Sequence, residues 1–221
     1  MPQRPVILAN GEIYHVFNRS IARTEIFSYK VNLRRAIAIL DYYRFVQRLR
    51  LSKFKTLTPQ LKKDYLDFAQ TSKPLVEIYA FALMPNHYHF LLRQVQDRGI
   101  TTFISNFQNS FAKAFNLKNN RNGALFQNAF KAKRIGDNEQ FIHVSRYIHL
   151  NPVTAYLIEF EDLANYEWTS FPVYASNKQI TFINDEFLLG MFGLKDKYIE
   201  FVSDQADYQR QLGKIKSLMM E

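Results

Sequence analysis

The chain contains no cysteine in 221 residues, so disulfides, thiolate zinc sites and cysteine nucleophiles are excluded, and no oxidising compartment is required. Long apolar runs are missing too: nowhere do eighteen apolar residues follow one another, and the opening MPQRPVILANGEIYHVF has no extended apolar stretch. Neither secretion nor membrane spanning is expected, and the expected location is cytoplasmic with no membrane partner. There is no glycine-rich phosphate loop, dinucleotide fingerprint, internal repeat or low-complexity tract, so the sequence gives no sign of nucleotide-driven chemistry. Acidic residues are scarce in one part only. Residues 1–151 hold 23 Lys+Arg against 9 Asp+Glu, net +14, whereas residues 152–221 hold 6 against 11, net −5. A basic region of this size points to a polyanionic partner, most simply nucleic acid.

What is present is ample core material: 47% apolar residues, including 20 Phe. The chain is organised around Ile78 to Leu92, IYAFALMPNHYHFLL. Two apolar runs flank the turn signal Met84-Pro85-Asn86, which predicts a β-hairpin. Strand alternation puts His87 and His89 on one face, about 7 Å apart, and turns Tyr88 and Phe90 towards a core. Two readings stand for the pair: imidazoles in a polar layer, or a grip on one divalent ion that needs a third ligand from elsewhere.

Glu12 to Arg19 alternates as a first strand, with His15, Phe17 and Arg19 on one face; His15 is either a neighbour of the histidine pair or an ordinary satisfied histidine. Helical spacing from Val31 to about Leu51 predicts one long helix, and Thr58-Pro59 should open a second one through Ala69. Between Arg44 and Lys63 stand seven basic residues and no acid, among them Arg44, Arg48, Lys53 and Lys55, a pattern suited to a phosphate backbone or to a solvated helix face. After the hairpin, Thr101 or Thr102 should cap a helix whose Phe103, Phe107, Phe111 and Phe115 form a core stripe. Phe130 to Ile135 alternates as a fourth strand presenting Lys131 and Lys133.

Asp137, with Gln140 completing a capping box, starts a helix expected to stop at Asn151 before Pro152. One stripe is apolar (Phe141, Val144, Ile148) and another polar (Gln140, His143, Tyr147, Asn151). A tyrosine on the polar stripe, one turn from an amide able to offer a carbonyl oxygen to a metal, is a candidate nucleophile beside a candidate ligand. The order is βαββαβ with an added helix, and a boundary is expected near Tyr156. Beyond it come helical segments near Asn184 to Phe192 and Lys195 to Val202, and a less regular one from Asp204 to Met220.

The blocks YHVFNR, MPNHYHFLL, ALFQNAFKAKRI and SRYIHLNPV, in this order, resemble the single-tyrosine HUH transposases of the IS200-like class, particularly the REP-associated tyrosine transposases. The resemblance spans about residues 10–157. It implies an α+β, ferredoxin-like HUH nuclease domain over residues 1–157, with an added catalytic helix and an acidic, mainly helical extension over 158–221. It further implies a transposase acting on single-stranded DNA with hairpin or palindromic repeats, Mg2+ or Mn2+ as cofactor, and a 5′-phosphotyrosine intermediate. Carried over by position, His87, His89 and Asn151 are metal ligands and Tyr147 is the nucleophile. The middle of the His-Tyr-His triplet is usually a bulky aliphatic, and Tyr88 departs from that. Arg19, Arg44, Arg48, Lys53, Lys55, Lys131, Lys133 and Arg146 are the expected nucleic-acid contacts, and the protein is expected to be a monomer or homodimer. The alternative from another class is a binding protein for structured single strands that does not cut.

Overall fold

The computed structural model describes residues 6–176 and 178–206. Four strands, β1 (Ile13–Arg19), β2 (Val76–Met84), β3 (His87–Gln94) and β4 (Lys131–Arg134), form one sheet in the order β2-β3-β1-β4. β1 pairs antiparallel with β4, His15 opposite Lys133 and Phe17 opposite Lys131. The hairpin puts β2 beside β3, and a crossover brings β1 and β4 alongside, which is the ferredoxin-like antiparallel arrangement expected from βαββαβ.

By contact density the chain divides into two compact units that are not sequential in the chain: one comprises 1–77, 85–87 and 92–134, the other 78–84, 88–91 and 135–221. The boundary expected near Tyr156 falls inside the second unit.

In the first unit, helices α1 (Lys30–Tyr43), α2 (Leu51–Lys55), α3 (Pro59–Gln70) and α4 (Gly99–Lys118) follow the sequence pattern with two differences. The long helix expected to reach Leu51 ends at Tyr43. Tertiary bonds take its next backbone groups: the Arg44 carbonyl accepts from Leu75 N–H, Arg48 and Leu49 N–H both donate to the Tyr65 hydroxyl, and Leu51 N–H donates to the Tyr43 hydroxyl. The second difference is the start of α4, two residues before Thr101. Gly99 permits it, because a Cβ there would collide with the Leu75 carbonyl oxygen. Thr58 caps α3 as expected, accepting from Leu61 N–H. Phe103, Phe107 and Phe111 of α4 are buried, and Phe27 packs on Phe111 with ring centroids 4.7 Å apart.

The second unit is built on α5 (Asn138–Thr154), a 3-10 turn at Phe160–Asn165, α6 (Phe171–Ala175), α7 (Glu186–Phe192) and α8 (Lys195–Ser203). Asp137 caps α5 by accepting from Gln140 N–H, but the Gln140 carboxamide accepts from Gly136 N–H, one residue before the expected reciprocal partner. α5 also runs through Pro152 to Thr154 instead of stopping at Asn151. A proline in the last turn removes only one intrahelical donor, and the helix resumes with Ala155 N–H on the Asn151 carbonyl. Bridges Ile78 to Ile183 and Ala82 to Thr169 cover the outer side of β2, an edge strand of the sheet. The helix expected from Asp204 to Met220 lies, beyond residue 206, outside the described residues. Among the described residues no helix is long and apolar enough to cross a membrane.

Candidate functional site

α5 is held in a defined rotation by two sets of contacts on its inner side. Near its start the Phe141 ring meets Tyr79 of β2 edge-on, at 5.2 Å between centroids, and Phe187 of α7 at 5.0 Å. Further along, the buried His149 bonds on both nitrogens, Nδ1 with the Tyr198 hydroxyl and Nε2 with Ser170 Oγ, each at 2.7 Å. Ser170 Oγ in turn accepts from the Phe81 N–H of β2, and Tyr198 also meets Ser145 Oγ. Burial pushes the His149 pKa down to about 3, so it sits in the core as a neutral ring. With its inner side fixed in this way, α5 turns Tyr147 outward.

Tyr147 is 41% exposed, and its ring stands perpendicular to that of His89 on β3, with centroids 5.6 Å apart. The structure therefore brings two of the sequence-predicted residues directly together. Asn151 follows one turn later, and its amide nitrogen donates to the Tyr147 carbonyl at 2.8 Å, which leaves its Oδ1 as the side-chain acceptor. His89 is 6% exposed.

His87 lies two residues before His89 on β3, on the same side of the strand. Its Nδ1 is 2.7 Å from Asn86 Oδ1. An amide oxygen only accepts, so Nδ1 carries the proton and Nε2 carries the lone pair. Burial, helped by the charge of Arg19, lowers the His87 pKa to about 4, so the ring is neutral at pH 7. A neutral imidazole with a defined tautomer is the form that ligates a cation, and an acceptor oxygen on the other nitrogen, here the Asn86 amide, orients it. The sequence reading missed Asn86 in this role; its place at the hairpin turn, next to His87, was the available signal. His15 is buried against Phe17, and burial together with Lys133 lowers its pKa to about 4. Among the described residues no group of three or more His, Cys, Asp or Glu side chains is placed to hold a metal ion.

The basic residues divide by environment. Arg19, Lys53, Lys55, Lys131 and Lys133 are exposed. Arg44 pairs with Asp41 at 3.2 Å and lies over Phe45, and Arg48 lies over Phe68. Arg146 is the exception to the expected surface role: only 8% exposed, it donates to the Phe201 carbonyl and to His143 Nδ1 and stacks on the Phe201 ring at 4.0 Å. Its guanidinium joins α5 to α8 through its two terminal nitrogens while its buried Nε has no hydrogen-bond partner among the described residues, a tertiary use that the helix pattern did not reveal.

A comparison with curated proteins found no match. Among solved structures the fold is similar to one described as a REP-associated tyrosine transposase bound to a REP hairpin, with a TM-score of 0.51 and 18% identity, covering 78% of this chain and 84% of that one. The family model described as "Transposase IS200 like" matches residues 11–151, a stretch that runs from the first strand to the amide one turn beyond Tyr147. This chain belongs to the IS200-like transposase family.

Proposed function

We propose that this protein cleaves and rejoins single-stranded, hairpin-bearing DNA, with Tyr147 as the nucleophile. The contact between the Tyr147 and His89 rings carries the reading, because it puts a solvent-reaching phenol against the histidine strand. In the reaction the tyrosyl oxygen attacks a backbone phosphorus, the phosphorus–O3′ bond breaks, and the phenolic proton is matched by one taken up on the departing 3′-oxygen. The products are a 5′-phosphotyrosine and a free 3′-hydroxyl. Bond number is conserved, so a 3′-hydroxyl of another strand can reverse the step and join DNA without a nucleotide cofactor.

Ionising a tyrosine at pH 7 costs roughly 4 kcal/mol, and that cost must be recovered by stabilising the charge that develops around phosphorus. His87, His89 and Asn151 offer two imidazole nitrogens and an amide oxygen, a neutral set that fits Mg2+ or Mn2+ once substrate phosphate supplies negative charge. Such an ion would act as a Lewis acid on the phosphate oxygens. The protein's own share is orientation: Asn86 fixes the His87 ring, and the anchoring of α5 holds Tyr147 in place. Arg19, Lys53, Lys55, Lys131 and Lys133 are exposed cations available to the DNA backbone. The hairpin is proposed as partner because the similar solved protein is described as bound to one.

The test is incubation with hairpin-bearing single-stranded DNA and Mn2+, followed by denaturing electrophoresis. A covalent adduct should form and map by mass spectrometry to the peptide containing Tyr147. Tyr147→Phe, which removes one oxygen from a half-exposed ring, should fold normally and form none. Cutting by that variant, or an adduct on another tyrosine, would overturn the assignment.

A further inference from the structure

Away from the histidine strand, the first unit carries a cavity of about 560 Å³ between α1, α2 and α4. Four cations line it: Arg35 from α1, Arg50 and Lys55 from the ends of α2, and Lys113 from α4. Among the described residues no acid lines it and none of the four cations makes an ion pair, and α4 contains no acid along its whole length. That distinguishes them from Arg44, which is held by Asp41. The floor is apolar, made by Ile39, Leu51 and Ala114, and Asn106 and Asn109 supply amides on one wall. A second cavity of about 560 Å³ shares Lys113 and Leu117 with the first and adds Arg121. Leu117, 81% exposed, lines both.

This combination selects its ligand class. Unpaired cations around an apolar floor suit a group that is anionic at one end and flat and apolar at the other, and amides on the wall match the edges of a base. The two neighbouring cavities have lining residues in common, which suits consecutive nucleotides better than one free nucleotide. We propose that this groove binds a single-stranded segment of nucleic acid, phosphates on Arg35, Arg50, Lys55 and Lys113 and at least one base over the apolar floor. It adds Arg35, Arg50 and Lys113 to the exposed cations named above and shares Lys55 with them, and it takes its ligand class from the proposed function. Three of its four cations, Arg35, Arg50 and Lys113, lie outside the set read from the sequence as nucleic-acid contacts.

The experiment is fluorescence anisotropy with the full chain and a labelled twelve-nucleotide oligo-dT, over a salt series in EDTA. Without hairpin or divalent ion it reads the groove whether or not Tyr147 forms an adduct, so failure here and failure of the nuclease reading are separate results. Each phosphate contact on a single strand contributes about 0.7 to the slope of log affinity against log salt. The double variant Arg35→Gln with Lys113→Gln should therefore lose roughly 1.4 from that slope and bind roughly 25-fold more weakly at about 0.1 M salt. Ala114→Phe keeps all four charges but fills the floor, and should weaken binding while circular dichroism stays native. Native affinity and slope in both folded variants would overturn the proposal. Displacement of the oligonucleotide by micromolar dTTP would also overturn it, since the occupant would then be a free nucleotide.

Discussion

At the scale of single residues, the histidines are used in opposite ways. His149 is buried neutral between Tyr198 and Ser170, with its pKa lowered to about 3, while an unfolded histidine titrates near 6.5. Between those values the unfolded chain binds the extra proton, so stability is complete above about pH 6.5 and falls as pH drops towards 3, by up to ~5 kcal/mol from this group. His87 and His15, both lowered to about 4, act with the same sign over the upper part of that window. Urea midpoints should therefore fall between pH 7 and pH 5. His149→Gln should be less stable at pH 7 yet show a smaller drop between the two pH values. A drop equal to that of the native protein would mean that His149 does not carry the dependence. The helical pattern put His143 on the polar stripe with Tyr147 and left His149 on neither stripe, because the burial of His149 depends on elements that the helix period does not report. Its partners come from residues 21 and 49 positions further along the chain.

At the scale of elements, the basic stretch from Arg44 to Lys63 behaves as two sets. Arg44 and Arg48 belong to the connection between α1 and α2, where Asp41, Phe45 and Phe68 already engage them. Lys53 and Lys55 project from α2 into solvent. Lys53→Gln with Lys55→Gln should consequently flatten the salt dependence of DNA binding more than Arg44→Gln with Arg48→Gln, by roughly 1.4 in slope for a single strand if both lysines meet phosphates. An equal effect of the two pairs would show that the internal contacts of the arginines are given up on binding. The same region explains why one long helix was expected and two were found. Helical periodicity reports which residues face the core, but it does not report that the Tyr65 and Tyr43 hydroxyls will compete for the backbone between them. By contrast, the cap at Thr58 and the hairpin at Met84-Pro85-Asn86 were legible, because both are decided by groups within a few residues of one another.

At the scale of the molecule, the hairpin is divided between the two units: Ile78–Met84 of β2 and Tyr88–Leu91 of β3 count with the second, and the start of β2 and both ends of β3 with the first. A cut at residue 157, the domain boundary implied by the resemblance, therefore does not release a finished domain. It removes Ser170 and Tyr198 from His149, Thr169 and Ile183 from β2, and Phe187 from Phe141. The truncated chain 1–157 should lose cooperative thermal unfolding, read by circular dichroism, and should not form the Tyr147 adduct. A truncated protein with native stability and full adduct formation would show that the extension is dispensable. The sequence by itself determined the order of strands and helices, the paired histidines on one strand face and the tyrosine and amide on one helix stripe, because alternation, helical period and capping act over a few residues. Only the tertiary structure decided that Tyr147 meets His89, that Arg146 is turned inward, and that Arg35, Arg50 and Lys113 gather with Lys55 around one groove. Those outcomes depend on side chains brought together by packing between elements far apart in the chain, and local periodicity carries no information about such distances.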